Sequence, residues 1–517
     1  MKQKIRSFLL AVCLFTAALL LCSCSLSDTE ASFVGEGIHN IHVDVNYPAG
    51  SSEIKAWGDG KSLYYYFLPS GTGPDDLTVE TENGITIRTQ NQEDVDRTTY
   101  LSGDSLRSLK TDTVYLLGCY DENHYLYEFP VIFKSSANLH SIFITTDTGD
   151  ISPILYDKDH KIPGTMVIIN PQGQLSYQGK LDYIKGRGNG SWFSFKKPFN
   201  IKLADGADLL GMGKARKYCL LSQESDRSHI RNKIGFSIAE AVEIPYAPDA
   251  EFADLWIDGV YQGLYLLTDR VNISEGSVDI RNLQDDTQAL NSHKLSSYPV
   301  VDIPGMRYSD IPVNPTDITG GYLMEVDKFY HEDKAAWFNT YYLHSVTLKS
   351  PSYCSKMQMD YIHLLMQEIE SMFFFHTEDT LYREYIDEDS WVKMGLLQEI
   401  IANTDFMGSS QYFYKEPDVN GKRSLVYAGP VWDLDQSMAP RTGSYLPSNS
   451  LLMPAQIWYM QLLDNPNFTE ALRRSYGEHF RPIVDELLDH GIDDMAETIK
   501  ALCGHELHPL AGSAGCG

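Results

Sequence analysis

The stretch Asn403–Asp435, NTDFMGSSQYFYKEPDVNGKRSLVYAGPVWDLD, decides the reading of the second half of the chain. Gln411 to Lys415 (QYFYK) is dominated by aromatics and reads as a strand. EPDVNGK follows as a turn, with Asn420-Gly421 the strong two-residue hairpin signal. SLVYAGPVWDLD is the return strand, and it ends on Asp433 and Asp435. A hairpin folds back on itself, so the residue before its first strand meets the residue after its second. Asp405 is therefore expected beside Asp433. Upstream, Ser390 to Thr404 places Trp391, Met394, Leu397 and Ile401 on one helical face, with Asp389 or Ser390 as the cap.

Two converging carboxylates serve more than one chemistry. In phosphoryl transfer one orients or deprotonates the attacking hydroxyl and the other holds Mg2+ on the nucleotide phosphates. Protein kinases keep the same order of catalytic-loop Asp, hairpin and metal Asp. A glycosidase carboxylate pair is a second reading. Aspartates that merely cap turns are a third.

Working outward, Lys185 to Leu203 (KGRGNGSWFSFKKPFNIKL) is a second cluster. Gly186, Gly188 and Gly190 let the backbone approach a ligand. Arg187 and Asn189 can bond anionic oxygens. Phe199, Ile201 and Leu203 alternate inward, which puts Asn200 and Lys202 on the opposite face, and Lys197 precedes Pro198. A glycine-rich turn feeding a lysine-bearing strand suits a nucleotide phosphate. A Gly-rich hairpin beside a basic surface strand explains the same residues.

The rest of the chain sorts into regions. From Val34 to Phe133 short alternating runs, with Glu82-Asn83-Gly84 as a hairpin signal, read as a small β-sandwich. WGDGKS has part of a phosphate-loop pattern, but Lys55 stands where its first glycine belongs, so a turn is the better reading. Asn138 to Leu203 is strand-rich. Arg227 to Val242 is a helix with Asp226 as N-cap. EFADLWIDGVYQGLYLLTD forms two strands around Asp258-Gly259. Residues 275–318 read as an irregular loop or insertion. Lys356 to Phe374 and residues 455–503 add helices. The fold class expected is α+β: a mainly β lobe, then a mainly helical one. The boundaries read are 1–24 signal, 25–35 linker, 36–135 β module, 138–503 main domain and 504–517 tail.

The 517 residues carry 43% hydrophobic residues, ample for real cores. Their formal charge of -28 argues against nucleic acid as a partner, because phosphate would be repelled. Lys2, Lys4 and Arg6 precede an apolar run from Phe8 to Leu21, too short to span a bilayer and suited to a signal peptide. The run ends Leu21-Cys22-Ser23-Cys24, which resembles a bacterial lipoprotein box with Cys24 as the acylated residue. Membrane attachment through that lipid anchor, on the outer face of the cell, is the expectation; an ordinary cleaved signal is the alternative. Cys119, Cys219, Cys354, Cys503 and Cys516 show no metal or disulfide spacing and read as mostly buried thiols.

Five blocks, KGRGNGSW…KKPFNIKL, LLSQESDRSHIRNKI, DLWIDGVYQGLYLLTD, GGYLMEVD and YAGPVWDLD, occur in that order and resemble the spore coat protein H family, the CotH kinases. The resemblance covers about residues 140–480. It implies an atypical protein-kinase-like two-lobed domain that uses ATP and Mg2+ to phosphorylate serines of surface or exported proteins. Carried over, Asp405 would be catalytic and Asp433 the metal aspartate, supported by Asp435. Lys197 or Lys202 would contact phosphate, and Asp269, where many members have Glu, would pair with that lysine. Arg231 and Asn232 would either support the site or stabilise a helix start. The second metal ligand, an Asn in kinases, is replaced by Ser409, Ser410 and Gln411, with Ser410 the nearest substitute and Lys415 a source of extra charge. That departure keeps a second reading open, a surface binding or scaffold protein that retains the fold.

Overall fold

The computed structural model describes residues 41–47, 50–58, 63–89, 97–120, 126–136, 138–342, 344–438 and 451–503. The signal, the Cys24 box, the linker and the tail lie outside these residues, as do residues 59–62 of WGDGKS.

The N-terminal module is a sandwich. Strands β1 (His42–Tyr47), β2 (Gly50–Lys55) and β5 (Leu77–Glu80) form a three-stranded sheet in the order β2-β1-β5. Strands β3 (Trp57–Gly58), β4 (Tyr64–Leu68), β6 (Ile85–Thr89), β7 (Thr98–Tyr100), β8 (Val114–Tyr120) and β9 (Leu126–Ser135) form the other, in the order β3-β4-β9-β8-β6-β7. Val43, Val45, Leu77 and Val79 of the first sheet share one core with Ile87, Leu117, Val131 and Phe133 of the second. The expected hairpin at Glu82-Asn83-Gly84 is not one. β5 pairs with β1 and β6 with β7 and β8, so this turn carries the chain from one layer to the other.

The module does not hang free. Its core continues into Phe143, Trp256 and Tyr261, with Phe67 stacked on Tyr261 at 4.3 Å between centroids. Such pairs contribute about 0.5–1.5 kcal/mol beyond the area they bury. The Asp258-Gly259 turn is a second point of attachment. It joins two strands with a positive φ of 50° at Asp258, and its carbonyls accept from Lys55 Nζ at 2.8 Å and Lys55 N at 2.9 Å.

Next comes a closed barrel of β10 (His140–Thr146), β11 (Ile162–Ile169), β12 (Leu175–Gly186), β13 (Phe199–Asp208), β14 (Lys214–Leu221), β15 (Ala250–Ile257) and β16 (Val260–Asp269). Its order is β10-β11-β12-β13-β14-β16-β15, closed by the parallel pairing of β10 with β15. The inward alternation read for Phe199, Ile201 and Leu203 is observed, all three being buried in the barrel core.

The second half differs from a mainly helical lobe. Its centre is a sheet of β17 (Val300–Ile303), β18 (Met306–Ser309), β19 (Tyr322–Val326), β20 (Trp337–Asn339), β21 (Ser345–Ser350), β22 (Gln411–Lys415) and β23 (Val426–Ala428), in the order β17-β18-β20-β21-β19-β22-β23. Residues 275–318, read as irregular, supply the Leu283–Leu290 helix and the β17–β18 hairpin. The helices Lys356–Phe375, Glu388–Ile400, Ile457–Leu463 and Pro466–Ser475 pack on the sheet through Trp391, Trp458, Tyr459 and Phe468. The class is α+β. Cys119, Cys219 and Cys354 are buried and form no disulfide among the described residues. Among the described residues no helix is long and apolar enough to cross a membrane.

Candidate functional site

A cleft of about 640 Å³ opens between the barrel rim and the second sheet. One wall is the 403–435 hairpin. β22 and β23 pair antiparallel, Phe413 opposite Ala428 and Lys415 opposite Val426. The closed hairpin brings Asp405, Ser409, Ser410, Asp433, Asp435 and Gln436 to the same lining. Thr404 N donates to Gln436 O at 3.4 Å, tying the two ends together. Ser410 Oγ donates to Asp433 Oδ2 at 3.0 Å. Ser410 and Asp433 hold positive φ, 56° and 60°, a conformation that costs a non-glycine residue about 1–3 kcal/mol and clusters at working sites.

The acids pay for this crowding in their charge. Burial, then the Asp435 charge, pushes Asp433 up to about 7, against the pull of Arg187. Burial, then Asp435, pushes Asp405 up to about 6. Asp435 is held by the Ser225 hydroxyl at 2.7 Å.

A helix braces this wall from behind. Asn232 Oδ1 accepts from Leu434 N at 2.9 Å, between the two aspartates, and its Nδ2 donates to Gln223 at 2.8 Å. Asn232 thus positions the site. Arg231 instead fastens the helix start: its backbone N donates to Asp226 at 2.9 Å, and its Nε lies 3.5 Å from the same carboxylate. Gly235 lets the helix come this close, since a Cβ there would stand 2.1 Å from Leu434 Cδ1.

The barrel supplies the facing wall. Gly186 at the end of β12 and Arg187, Gly188 and Asn189 just past it line the cleft. Arg187 lies over the Trp432 ring at 5.6 Å and has no carboxylate partner among the described residues. Gly188 is needed for its shape: φ is 83° and a Cβ would meet Ser191 Oγ at 2.1 Å. Gly190 has open space around it.

Four residues fall elsewhere than the resemblance implied. Lys202 shares a strand face with Asn200, but it lies two residues further from the rim, roughly 6.6 Å along the strand. There Asp182 captures its Nζ at 2.6 Å, outside the cleft. Lys197 Nζ donates to the carbonyls of Trp192 at 2.9 Å and Ser194 at 2.7 Å, closing the glycine-rich turn on itself. Asp269 is buried in the barrel away from the cleft and meets no lysine among the described residues; burial, then Asp249, raises its carboxyl to about 7. Lys415 Nζ is consumed by Thr319 O at 2.7 Å, Asp418 at 2.7 Å and Ser424 at 3.1 Å, so it brings no charge to the site. Gln411 also turns inward, donating to Phe406 O and accepting from Gln456 at 3.2 Å.

The lysine–acid pair in the cleft is a different one. Lys349 on β21 bonds Glu325 on β19 at 2.7 Å, beneath Tyr412. Burial pushes Lys349 down, but Tyr412, Glu325 and Asp327 outweigh it and hold the amine above its ordinary value. Glu325 and Asp327 belong to GGYLMEVD, a block noticed only as part of the resemblance. Arg270 and Lys334 also line the cleft. The available signal was on β19, where Glu325 shares a face with Leu323 in an otherwise apolar strand; on β21 Lys349 continues the polar face of Ser345 and Thr347.

Among the described residues no group of three or more His, Cys, Asp or Glu could hold a metal ion alone. Mg2+ commonly takes one or two carboxylates and completes its shell with phosphate oxygens and water. Asp433 and Asp435, mutually repelling and touched by hydroxyls alone, fit that half-site.

One wall of the cleft thus carries Arg187, Arg270 and the Lys349–Glu325 pair, and the other the crowded carboxylates of Asp405, Asp433 and Asp435. The family model described as CotH kinase protein matches residues 184–508, more than half of the chain, and the chain belongs to that family. No curated protein matched the sequence.

Proposed function

We propose that the protein transfers the γ-phosphoryl group of ATP to Ser or Thr hydroxyls of surface or exported proteins, with the barrel and the second sheet as the two lobes of a kinase-like domain. The observation that carries this reading is Asp405. Its carboxylate is half-buried, raised to about 6, free of hydrogen-bond partners among the described residues, and at the cleft mouth beside Asp435. A base whose pKa lies near the working pH is the effective one. Asp405 takes the proton of the acceptor hydroxyl as its oxygen bonds the γ-phosphorus. The bond from that phosphorus to the β–γ bridging oxygen breaks, and ADP leaves.

Arg187 and Lys349 balance phosphate charge, and the glycine-rich turn brings backbone and Asn189 close. Asp433, Asp435 and Ser410 would hold Mg2+, which supplies charge neutralisation on the phosphates. In place, the protein is read as a lipid-anchored surface lipoprotein, on the strength of the Lys2–Cys24 pattern.

One observation favours the alternative of a catalytically weak surface binding or scaffold protein. With Gln411 turned away, Ser410 is the only side chain of Ser409-Ser410-Gln411 that bonds Asp433, and a hydroxyl is a weaker ligand than an amide carbonyl. Transfer of label from γ-labelled ATP to a Ser-rich acceptor decides between them. Transfer that needs Mg2+ and fails in Asp405→Asn supports the kinase; transfer that survives Asp405→Asn removes Asp405 from the mechanism.

A further inference from the structure

We infer that the exposed aromatics on the two rims of the cleft, Phe193 on the barrel side and Phe329 with Tyr330 on the sheet side, dock the polypeptide that brings the acceptor hydroxyl. They select an extended segment that carries a large apolar side chain within about five positions of its Ser or Thr. The inference names the acceptor class of the site proposed above and rests on that reading for the transfer step alone.

The sheet rim is tied directly to the loop that bears Asp405. Gly408 N donates to Asp405 O at 3.0 Å, and Lys328 N donates to Gly408 O at 2.9 Å. Phe329 and Tyr330, the next two residues, line the same cleft as Asp405. An extended chain advances about 3.3 Å per residue, so an acceptor whose hydroxyl reaches Asp405 passes these rings within about five positions.

The rings are displayed on braced turns. The buried carboxylate of Asp327 accepts from Tyr330 N at 2.9 Å and Phe329 N at 3.3 Å. His331 Nδ1 lies 3.0 Å from Asp327 O, and its ring packs edge-on against Trp337 at 4.7 Å between centroids. Phe329 is nevertheless 67% exposed. Across the cleft, Phe193 stands between Ser191 and Ser194, which line it, and is 88% exposed. Lys197 closes that turn by donating to Trp192 O and Ser194 O. Folding draws little from side chains left this far in water, whereas apolar residues gathered around one opening mark a contact site.

The occupant follows from where the rings stand and from the charges beside them. A protein acceptor has to lay its chain across the rims to reach Asp405. On the sheet rim Lys328 and Lys334 offset Glu332 and Asp333, so apolar contact and not charge selects what lies there.

The test is binding of two fluorescent peptides to the full chain, by anisotropy, with phosphoryl transfer to the same peptides measured in parallel. Each peptide carries one Ser; they differ only in having Phe or Ala three positions to either side of it. Wild type is expected to bind the Phe peptide about tenfold more tightly. Phe329→Ser is expected to lose most of that preference and Phe193→Ser combined with Phe329→Ser all of it. Phe329→Leu, which keeps an apolar side chain, is expected to retain most of it. Phe375→Ser, an exposed aromatic outside the cleft lining, is expected to keep it in full. Equal binding of both peptides by wild type, a preference that survives the double variant, loss in Phe329→Leu, or an equal loss in Phe375→Ser each overturns the inference. A fall in ATP affinity in place of peptide affinity would make the rings nucleotide contacts and overturn it as well. Intact preference with no transfer to either peptide would instead sink the kinase reading and leave the docking surface standing.

Discussion

The two walls of the cleft are assembled differently. The acidic wall comes from one contiguous hairpin, with Asp405, Ser410, Asp433 and Asp435 all inside Asn403–Asp435. The cationic wall is gathered from four separate strands: Arg187 past β12, Arg270 past β16, and the Lys349–Glu325 pair across β21 and β19. A wall made by one turn is specified locally. A wall made by convergence is specified by sheet order, which no short stretch contains. Neighbourhood in sequence brings Asp405, Asp433 and Asp435 to one cleft, whereas Lys197, Lys202 and Asp269 lie outside its lining.

The sharpest contrast is catalytic. On the acidic wall, Asp405→Asn is expected to cut phosphoryl transfer by about 10²–10⁴-fold, the usual share of a general base, while nucleotide affinity moves little. Steady-state kinetics and titration calorimetry on the same preparation check both halves. Equal losses in both would make Asp405 a binding residue instead.

On the cationic wall the comparison is between lysines. Lys349→Met strands Glu325, which is only 8% exposed, without its partner. Removing one member of such a pair costs several kcal/mol when both are fully buried, and about 2 kcal/mol here because the Lys349 side chain is 32% exposed. Transfer is expected to fall about a hundredfold as well, as charge stabilisation is lost. Lys202→Ala, the lysine that strand geometry first suggested, is expected to leave transfer within about twofold, since surface changes away from a site are usually silent. A large loss in Lys202→Ala would restore the original assignment.

Asp269 gives a pH signature away from both walls. Its carboxyl is raised from 3.8 to about 7, so the folded protein holds a proton that the unfolded chain has released. Its contribution to stability is complete below pH 4 and is lost as pH rises toward 7, at up to roughly 1.4 kcal/mol per pH unit. Denaturant melts at several pH values should show wild type losing stability across that window and Asp269→Asn losing less. Parallel curves would mean the group titrates normally.

The smallest effect separates glycines of one turn. Gly188→Ala, with its positive φ and a Cβ blocked by Ser191, is expected to cost about 1–2 kcal/mol. Gly190→Ala meets nothing and is expected to be neutral within about 0.5 kcal/mol by the same melts.

Much of the fold was legible, and the reasons are local. Asn420-Gly421 and Asp258-Gly259 announce their hairpins because those residues tolerate the required φ. The long amphipathic helix read at Lys356–Phe374 is observed one residue longer, capped by Ser355. Glu82-Asn83-Gly84 carries the same kind of turn signal, yet its strands belong to different layers, because pairing is decided by partners far away. Asp269 and Arg270 show the limit at single-residue scale. Asp269 closes a quoted block and Arg270 is the next residue, but alternation turns the acid into the barrel while the arginine lines the cleft. The seven-stranded sheet is hard to read because six of its strands have five residues or fewer, and β17 and β18 lie within the loop-like stretch 275–318.

The central claim is that the crowded aspartates and the unpaired cations form one site for a nucleotide and its Mg2+. Calorimetric titration of ATP into wild type and Asp433→Ala, each with and without Mg2+, addresses it most directly. Mg2+ is expected to strengthen ATP affinity in wild type and to have no effect on it in the variant. Equal Mg2+ dependence in both, or no ATP binding in either, would contradict it.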